Sequence, residues 1–157
     1  MSTIRGLASI IVPCWNQLEF TRQCVAALKS HTRPPWELIV IDNGSTDHTD
    51  IYLAGVSDGA AVPVTVISNT KNLGFPAAIN QGLKAARGEY LVMLNNDVVV
   101  TDGWLGQLIE LANAKKDVSA AHAEHAKIMP EEERGGRPAV DSGAGSGVAT
   151  VTGFAGV

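Results

Sequence analysis

The sequence predicts an α/β fold: a doubly wound, mostly parallel sheet with helices on both faces and an incomplete carboxyl-terminal part. Three observations carry this. Short apolar runs rich in β-branched residues recur at Ala8–Val12, Glu37–Ile41, Val64–Ser68 and Tyr90–Leu94, as expected of strands covered on both faces. Segments of helical period separate them, and that alternation implies parallel pairing through right-handed crossovers. Each run also ends in a polar break, most plainly where Glu89–Leu94 meets Asn95-Asn96-Asp97 before Val98–Val100 resumes. In an open α/β sheet, the carboxyl ends of strands are where ligands bind.

Taken in order, Ala8–Val12 is the first strand, closed by Pro13, which cannot donate to a sheet ladder. Asn16 with Glu19 has the spacing of a capping box, and Phe20, Cys24 and Leu28 fall on one face of a helix running to about Lys29. Glu37–Ile41 is the second strand. Asp42-Asn43-Gly44-Ser45-Thr46-Asp47 follows, crowded with turn and cap residues, and a helix runs from near Asp47 to Gly55. After the third strand, Val64–Ser68, a helix has Pro76 in its first turn and Gly88 at its carboxyl-terminal cap, with Ala78, Ile79, Leu83 and Ala86 inward. Tyr90–Leu94 is the fourth strand. Asp102 then caps a helix with the apolar stripe Leu105, Leu108, Ile109 and Ala112, and a fifth strand lies near Val118–Ala121. Residues 129–147, with Glu131–Glu133 and several glycines, read as a loop. Residues 148–157 read as a partial strand without a successor, a candidate for pairing with another copy of the chain. The whole is one domain over 1–157, with its binding portion at about 8–121.

The composition narrows the function. With 157 residues, 45% hydrophobic, the chain is long enough for one core. Its 12 basic and 16 acidic side chains give a net charge of −4 without a basic stripe, which argues against nucleic acid as a partner. Cys14 and Cys24 have neither zinc-finger nor Cys-x-x-Cys spacing and read as reduced core thiols. No apolar run approaches the ~20 residues of a membrane span, so the expected location is cytoplasmic, at most peripheral to the inner membrane. Neither Gly-x-Gly-x-x-Gly after the first strand nor a P-loop motif occurs, which counts against a dinucleotide dehydrogenase and a P-loop NTPase. His122 and His125 lack a third zinc ligand in sequence. Trp36 and Trp104 read as core anchors, whereas Trp15 adjoins the crevice.

Four polar breaks, Pro13-Cys14-Trp15-Asn16, Asp42–Asp47, Asn69–Gly74 and Asn95-Asn96-Asp97, can therefore line one crevice. Asp42 is placed to accept hydrogen bonds from a base or ribose, or else to cap the next helix. Gly44 turns the chain where a side chain would obstruct a ligand. Asn72 and Gly74 form a turn whose N–H groups, with the following helix, can face an anion. Asp97 suits a hard divalent cation shared with substrate phosphates, while Asn95 and Asn96 could equally be a plain turn.

Ser9–Asn16, Glu37–Asp47, Asn72–Gly82, Arg87–Tyr90 and Leu94–Val98 together resemble the inverting, nucleotide-sugar-dependent glycosyltransferases of family 2, which have the GT-A fold. The resemblance covers about residues 8–112. It implies a nucleoside diphosphate sugar donor, a divalent metal (Mg²⁺ or Mn²⁺) and a glycan or lipid-linked acceptor, as in bacterial rhamnosyl- and galactofuranosyl-transferase relatives that build surface polysaccharides. Pro13, Trp15, Asn16, Asp42, Asn43, Gly44, Asn72, Gly74, Asn95 and Asn96 then fall in the donor site, with Asp97 as the metal ligand. The chain departs from the family pattern in having Asn95 for the first motif aspartate, Asn43 for a second acid, and Ile79 for an arginine near the diphosphate. Glu131–Glu133 and Asp141 lie too early to match the family's general base, so no complete acceptor half is expected. Two rivals are a sugar-phosphate nucleotidyltransferase, which should carry a Gly-rich loop after strand one, and a non-catalytic binding or interaction fragment.

Overall fold

Residues 3–58, 60–114 and 148–150 are described by the computed structural model, and in them the predicted alternation becomes a five-stranded parallel sheet. The elements are β1 (Ile4–Cys14), α1 (Leu18–His31), β2 (Trp36–Asp42), α2 (Thr49–Ala54), β3 (Val64–Ser68), α3 (Phe75–Ala85), β4 (Gly88–Met93), α4 (Trp104–Ala114) and β5 (Val148–Thr150). The order across the sheet is β3-β2-β1-β4-β5. From β1 the chain winds outward through β2 and β3, then returns to lay β4 on the other side of β1. The direction of winding therefore reverses between β1 and β4, which makes that junction the switch point where ligands bind in such sheets.

Side chains alternate across the sheet with the period of two expected of strands. Ala8, Ile10, Val12 and Cys14 join Leu38 and Val40 in a core that takes in Cys24, Val25 and Leu28 of α1, Leu53 of α2 and Leu105 of α4. On the opposite face, Ile11, Ile39 and Ile41 pack with Ala78 and Ile79 of α3. Both faces are thus covered, as the continuous apolar runs require.

Three local expectations fail for non-local reasons. Pro13 does not close β1: the strand runs through it to Cys14, with Pro13 opposite Ile41. Ile11 accepts the Leu94 amide at 2.9 Å and Cys14 accepts the Asn43 amide at 2.8 Å, so odd residues of β1 address β4 and even ones β2. Pro13 faces the β4 side, where the rung after the Leu94 amide to Ile11 would need an N–H that proline lacks, and the β1–β4 pairing ends there, at Ile11 with Met93. Gly88 is not a helix cap, because α3 ends on Ala86. It opens β4, and a Cβ there would stand 2.6 Å from the Leu7 carbonyl oxygen. Asp102 is hydrogen-bonded through Oδ1 to His31 Nδ1 at 2.8 Å, joining the end of α1 to the approach to α4.

A polar bolt crosses the amino-terminal side of the sheet. Glu37, 2% exposed, accepts Ser9 Oγ at 2.6 Å, the Arg87 amide at 2.8 Å and the Arg87 guanidinium at 2.7 and 2.9 Å. Ser9 Oγ in turn accepts the Gly88 amide at 2.8 Å. Burial by itself would raise the Glu37 carboxyl, but the donors on Ser9 and Arg87 outweigh it and hold the group below its ordinary range.

β5 pairs with β4 through Leu91–Val148, Val92–Ala149 and Met93–Thr150. The strand expected near Val118–Ala121, the loop 129–147, residues 151–157, and with them His122, His125, Glu131–Glu133 and Asp141, lie outside the described residues. Among the described residues, no helix is long and apolar enough to cross a membrane.

Candidate functional site

The register of the sheet brings its polar breaks to one rim. Cys14 is level with Asp42, and Asp42 with Ser68, so the breaks after β1, β2 and β3 begin side by side. Met93 is level with Ile11. Asn95, two residues on from Met93, therefore leaves the sheet at the height of Pro13.

The turn from β1 into α1 is left-handed at two successive non-glycine residues, Asn16 (φ 57°) and Gln17 (φ 61°). Each such residue costs on the order of 1 kcal/mol, and the compensation comes from the loop after β2. Asn16 donates its amide to Ser45 Oγ at 2.8 Å, and its Oδ1 accepts the Thr46 amide at 2.8 Å. The Leu18 amide donates to Asp47 Oδ2 at 2.9 Å. The expected capping box is thus absent: Asn16 faces the neighbouring loop, Glu19 accepts from Gln23 at 3.2 Å, and Asp47 caps α1. The other Asp47 oxygen accepts Thr49 Oγ1 at 2.6 Å and the Thr49 amide at 3.3 Å. Chiefly through Thr49 Oγ1, with help from the Leu18 amide, the Asp47 carboxyl is held below its ordinary range.

Asp42 is 3% exposed at the end of β2. Its Oδ1 accepts the Ser45 amide at 2.9 Å, so it orders the turn and does not cap α2. Gly44 (φ +79°) is fixed by the protein itself: a Cβ would stand 2.6 Å from the Lys71 backbone. What it makes room for is the passing 69–74 loop. Asn43 uses its full hydrogen-bonding capacity on that loop. Its Oδ1 accepts Asn69 Nδ2 at 3.1 Å and the Leu73 amide at 3.0 Å; its Nδ2 donates to Asn72 Oδ1 at 2.9 Å and the Gly74 carbonyl at 3.3 Å. Asn72 Oδ1 also accepts the Gly74 amide at 2.8 Å. Gly74 (φ +84°) then opens α3 with no side-chain cap, which leaves first-turn N–H groups for another acceptor.

Across β1, the turn Asn95-Asn96-Asp97 is tied to α1. Asn96 Nδ2 donates to Thr21 Oγ1 at 3.0 Å, and Cys24 Sγ approaches the Asn95 carbonyl at 3.7 Å. Asp97 is exposed. With Asn96, Gln17 and Phe20 it lines an open cleft of about 370 Å³. Cys24 and Leu28 are fully buried, whereas Phe20 on the same stripe is 49% exposed, so Phe20 belongs to the cleft wall and not to the core.

Both cysteines are buried and free. Burial pushes each thiol up to about 12, with the charges of Asp42 and Asp47 adding to the effect at Cys14 and that of Asp97 at Cys24. They stay protonated at neutral pH and are poor metal ligands. Among the described residues, no group of three or more His, Cys, Asp or Glu could hold a metal. The donor set is one exposed carboxylate beside two amides. That fits Mg²⁺ or Mn²⁺, which keep several waters and share phosphate oxygens, and does not fit an ion caged by protein alone.

Of the residues singled out in the sequence, Pro13, Trp15, Asn16, Asp42, Asn95, Asn96 and Asp97 lie about the switch point, and Trp15 is 54% exposed there. Asn43 and Asn72 turn their polar atoms on the protein. Ser45, Thr46, Asp47 and Thr21 were not singled out as site residues. The first three stood in a visible cluster of cap residues, but Thr21 gave no local signal, since its partner lies 75 residues away.

The sequence matches the family model "Glycosyl transferase family 2" over residues 9–143. It is 30% identical over 129 residues to an uncharacterized glycosyltransferase of Haemophilus influenzae, covering 82% of this chain and 39% of that protein. Among solved structures, it resembles S. aureus TarS 1-349 with a TM-score of 0.60 at 24% identity, over 68% of this chain and 32% of that one. It also resembles the mannosyltransferase PcManGT of Pyrobaculum calidifontis, solved in complex with GDP-Man and Mn²⁺, with a TM-score of 0.56 at 26% identity, over 60% and 28% of the two chains. The fold is that of the GT-A glycosyltransferases.

Proposed function

This chain belongs to glycosyl transferase family 2, and from that premise we propose that its crevice binds a nucleoside diphosphate sugar for inverting transfer to a glycan or lipid-linked acceptor. The single observation that carries the reading is the pair of carboxylates flanking β1 at the carboxyl ends of the strands, Asp42 as the last residue of β2 and Asp97 in the turn after β4. Asp42, ordered by the Ser45 amide, offers a fixed acceptor to the base or ribose. Trp15 supplies an exposed aromatic face beside it. The uncapped first turn of α3 offers N–H groups and the positive end of a helix to the diphosphate. Asn43 and Asn72 hold that turn against Asp42 and do not themselves touch the donor.

Asp97 would hold a divalent cation, as the Mn²⁺ in the PcManGT complex suggests by analogy. Once bound, such an ion supplies charge neutralisation for a departing diphosphate. Asn95, standing where the family pattern has an acid, leaves Asp97 as the one charged oxygen in this turn, so metal affinity should rest on it.

Isothermal titration with UDP, GDP and dTDP, each with and without Mn²⁺, tests the reading. One of the three is expected to bind, and more tightly with metal. No binding by any of them would reject it and favour a non-catalytic interaction module.

A further inference from the structure

We propose that Thr21 is a positioning residue for the Asp97 carboxylate, acting through Asn96. The inference rests on the reading of Asp97 given above. Thr21 is fully buried, on the first turn of α1. Its hydroxyl accepts Asn96 Nδ2–H at 3.0 Å and lies 3.4 Å from the Gln17 carbonyl, to which it donates. The Asn95 carbonyl faces Cys24 Sγ at 3.7 Å and accepts the Val98 amide at 3.3 Å. Both residues before Asp97 are therefore tied to one helix, α1.

The same helix is held at its start by the nucleoside side of the crevice. Asp47 takes the Leu18 amide, and Ser45 and Thr46 hold Asn16. A continuous set of hydrogen bonds thus runs from the loop of Asp42, through the first turn of α1, to the turn of Asp97. Thr21 is the one side chain on α1 that hydrogen-bonds to an Asn95-Asn96-Asp97 side chain among the described residues. Groups that orient a metal ligand from behind typically change metal affinity by ~10–100-fold when removed. Thr21→Val keeps the volume and branching of the side chain and deletes only the hydroxyl; Thr21→Ser keeps the hydroxyl.

The test is calorimetric binding of UDP and GDP to the 157-residue chain, with and without Mn²⁺, for wild type, Thr21→Val, Thr21→Ser and Asp97→Asn, with thermal unfolding of each. Thr21→Val should lose about 10-fold of the metal-linked gain in affinity, the low end of that range because Thr21 acts through Asn96, while metal-free nucleotide binding stays unchanged, and Thr21→Ser should recover most of the gain. Equal metal linkage in Thr21→Val and wild type overturns the proposal; so does a Thr21→Ser variant that is folded yet as impaired as Thr21→Val. If Asp97→Asn abolishes the linkage and Thr21→Val does not, only the role of Thr21 fails. If wild type shows no linkage, or Asp97→Asn retains it in full, the assignment of Asp97 fails and that of Thr21 with it.

Discussion

Asp47 caps a helix that precedes it by nearly thirty residues: its Oδ2 accepts the Leu18 amide at 2.9 Å, so the start of α1 is held by the loop after β2. Sequence-adjacent residues do not cap that helix, since Gln17 makes no side-chain cap bond. The loops after β1 and β2 are consequently one mechanical unit.

Asp47→Ala should therefore weaken both folding and ligand binding. Loss of a cap typically costs about 1 kcal/mol, and here the Thr49 contacts go as well. Urea denaturation should show a lower midpoint with an unchanged slope, and nucleotide affinity should fall in parallel. A lowered midpoint with wild-type affinity would separate the two loops.

The acid limb of stability should be set largely by Glu37 and Asp47. Both carboxyls are held below their ordinary range in the folded state. The unfolded chain, with values of about 4.3 for Glu and 3.9 for Asp, thus binds protons first as pH falls. Their stabilising contribution is complete above those values and is lost as pH drops through the folded values. Urea midpoints measured from pH 7 to pH 3 should be level at first and then decline, and Glu37→Gln should flatten the decline. An unaltered acid limb in Glu37→Gln would remove Glu37 from this role.

Arg87→Met leaves the buried Glu37 without its guanidinium. Stranding a buried charge costs about 3–5 kcal/mol, and the lower end applies because Arg87 keeps 43% of its side chain in solvent. Thermal unfolding would report it, and a loss comparable to an ordinary surface substitution would contradict it.

Gly44→Ala combines left-handed backbone strain of ~1 kcal/mol with overpacking of ~1–3 kcal/mol against Lys71. The variant should be markedly destabilised, and its 69–74 loop should become more open to proteolysis. A stable variant that loses only ligand affinity would instead mean that the space at Gly44 serves the ligand.

Asp42→Ala should reduce nucleoside diphosphate affinity by at least ~10-fold, about 1.4 kcal/mol, while costing roughly 1 kcal/mol of stability through the Ser45 hydrogen bond. Calorimetry beside thermal unfolding distinguishes the two, and unchanged affinity would confine Asp42 to ordering its turn. In the same assay, Asp97→Asn should abolish most of any metal-linked gain and Asn95→Ala less of it, because a charged ligand is exchanged for a neutral one only in the first.

The sheet was legible because its signal is local. Val64–Ser68 is predicted and observed with the same ends, since an apolar run between turn residues needs no distant partner to be recognised. The errors all sit where the deciding partner is remote. Asn16 and Glu19 have capping-box spacing, yet Ser45, Thr46 and Asp47 take over. Pro13 looks like a strand end, yet it ends only the pairing with β4, while β2 carries β1 on to Cys14. Gly88 has the place of a cap, yet it answers to Leu7 and Ser9. Among candidate site residues, aspartates and amides at strand ends were visible as types, but whether each faces ligand or protein was not. Asn43, satisfied four times by its own chain, shows why composition cannot decide that.

The bolt of Glu37, Ser9 and Arg87 separates what keeps the strands in step from what lines the crevice. It fastens β1, β2 and the start of β4 at the rim opposite the crevice, so the register of these strands does not depend on the crevice loops, whose own hold is on α1. Changes confined to the crevice loops could therefore alter what the crevice holds without shifting the strands, provided that Asp47 and its hold on the start of α1 are kept.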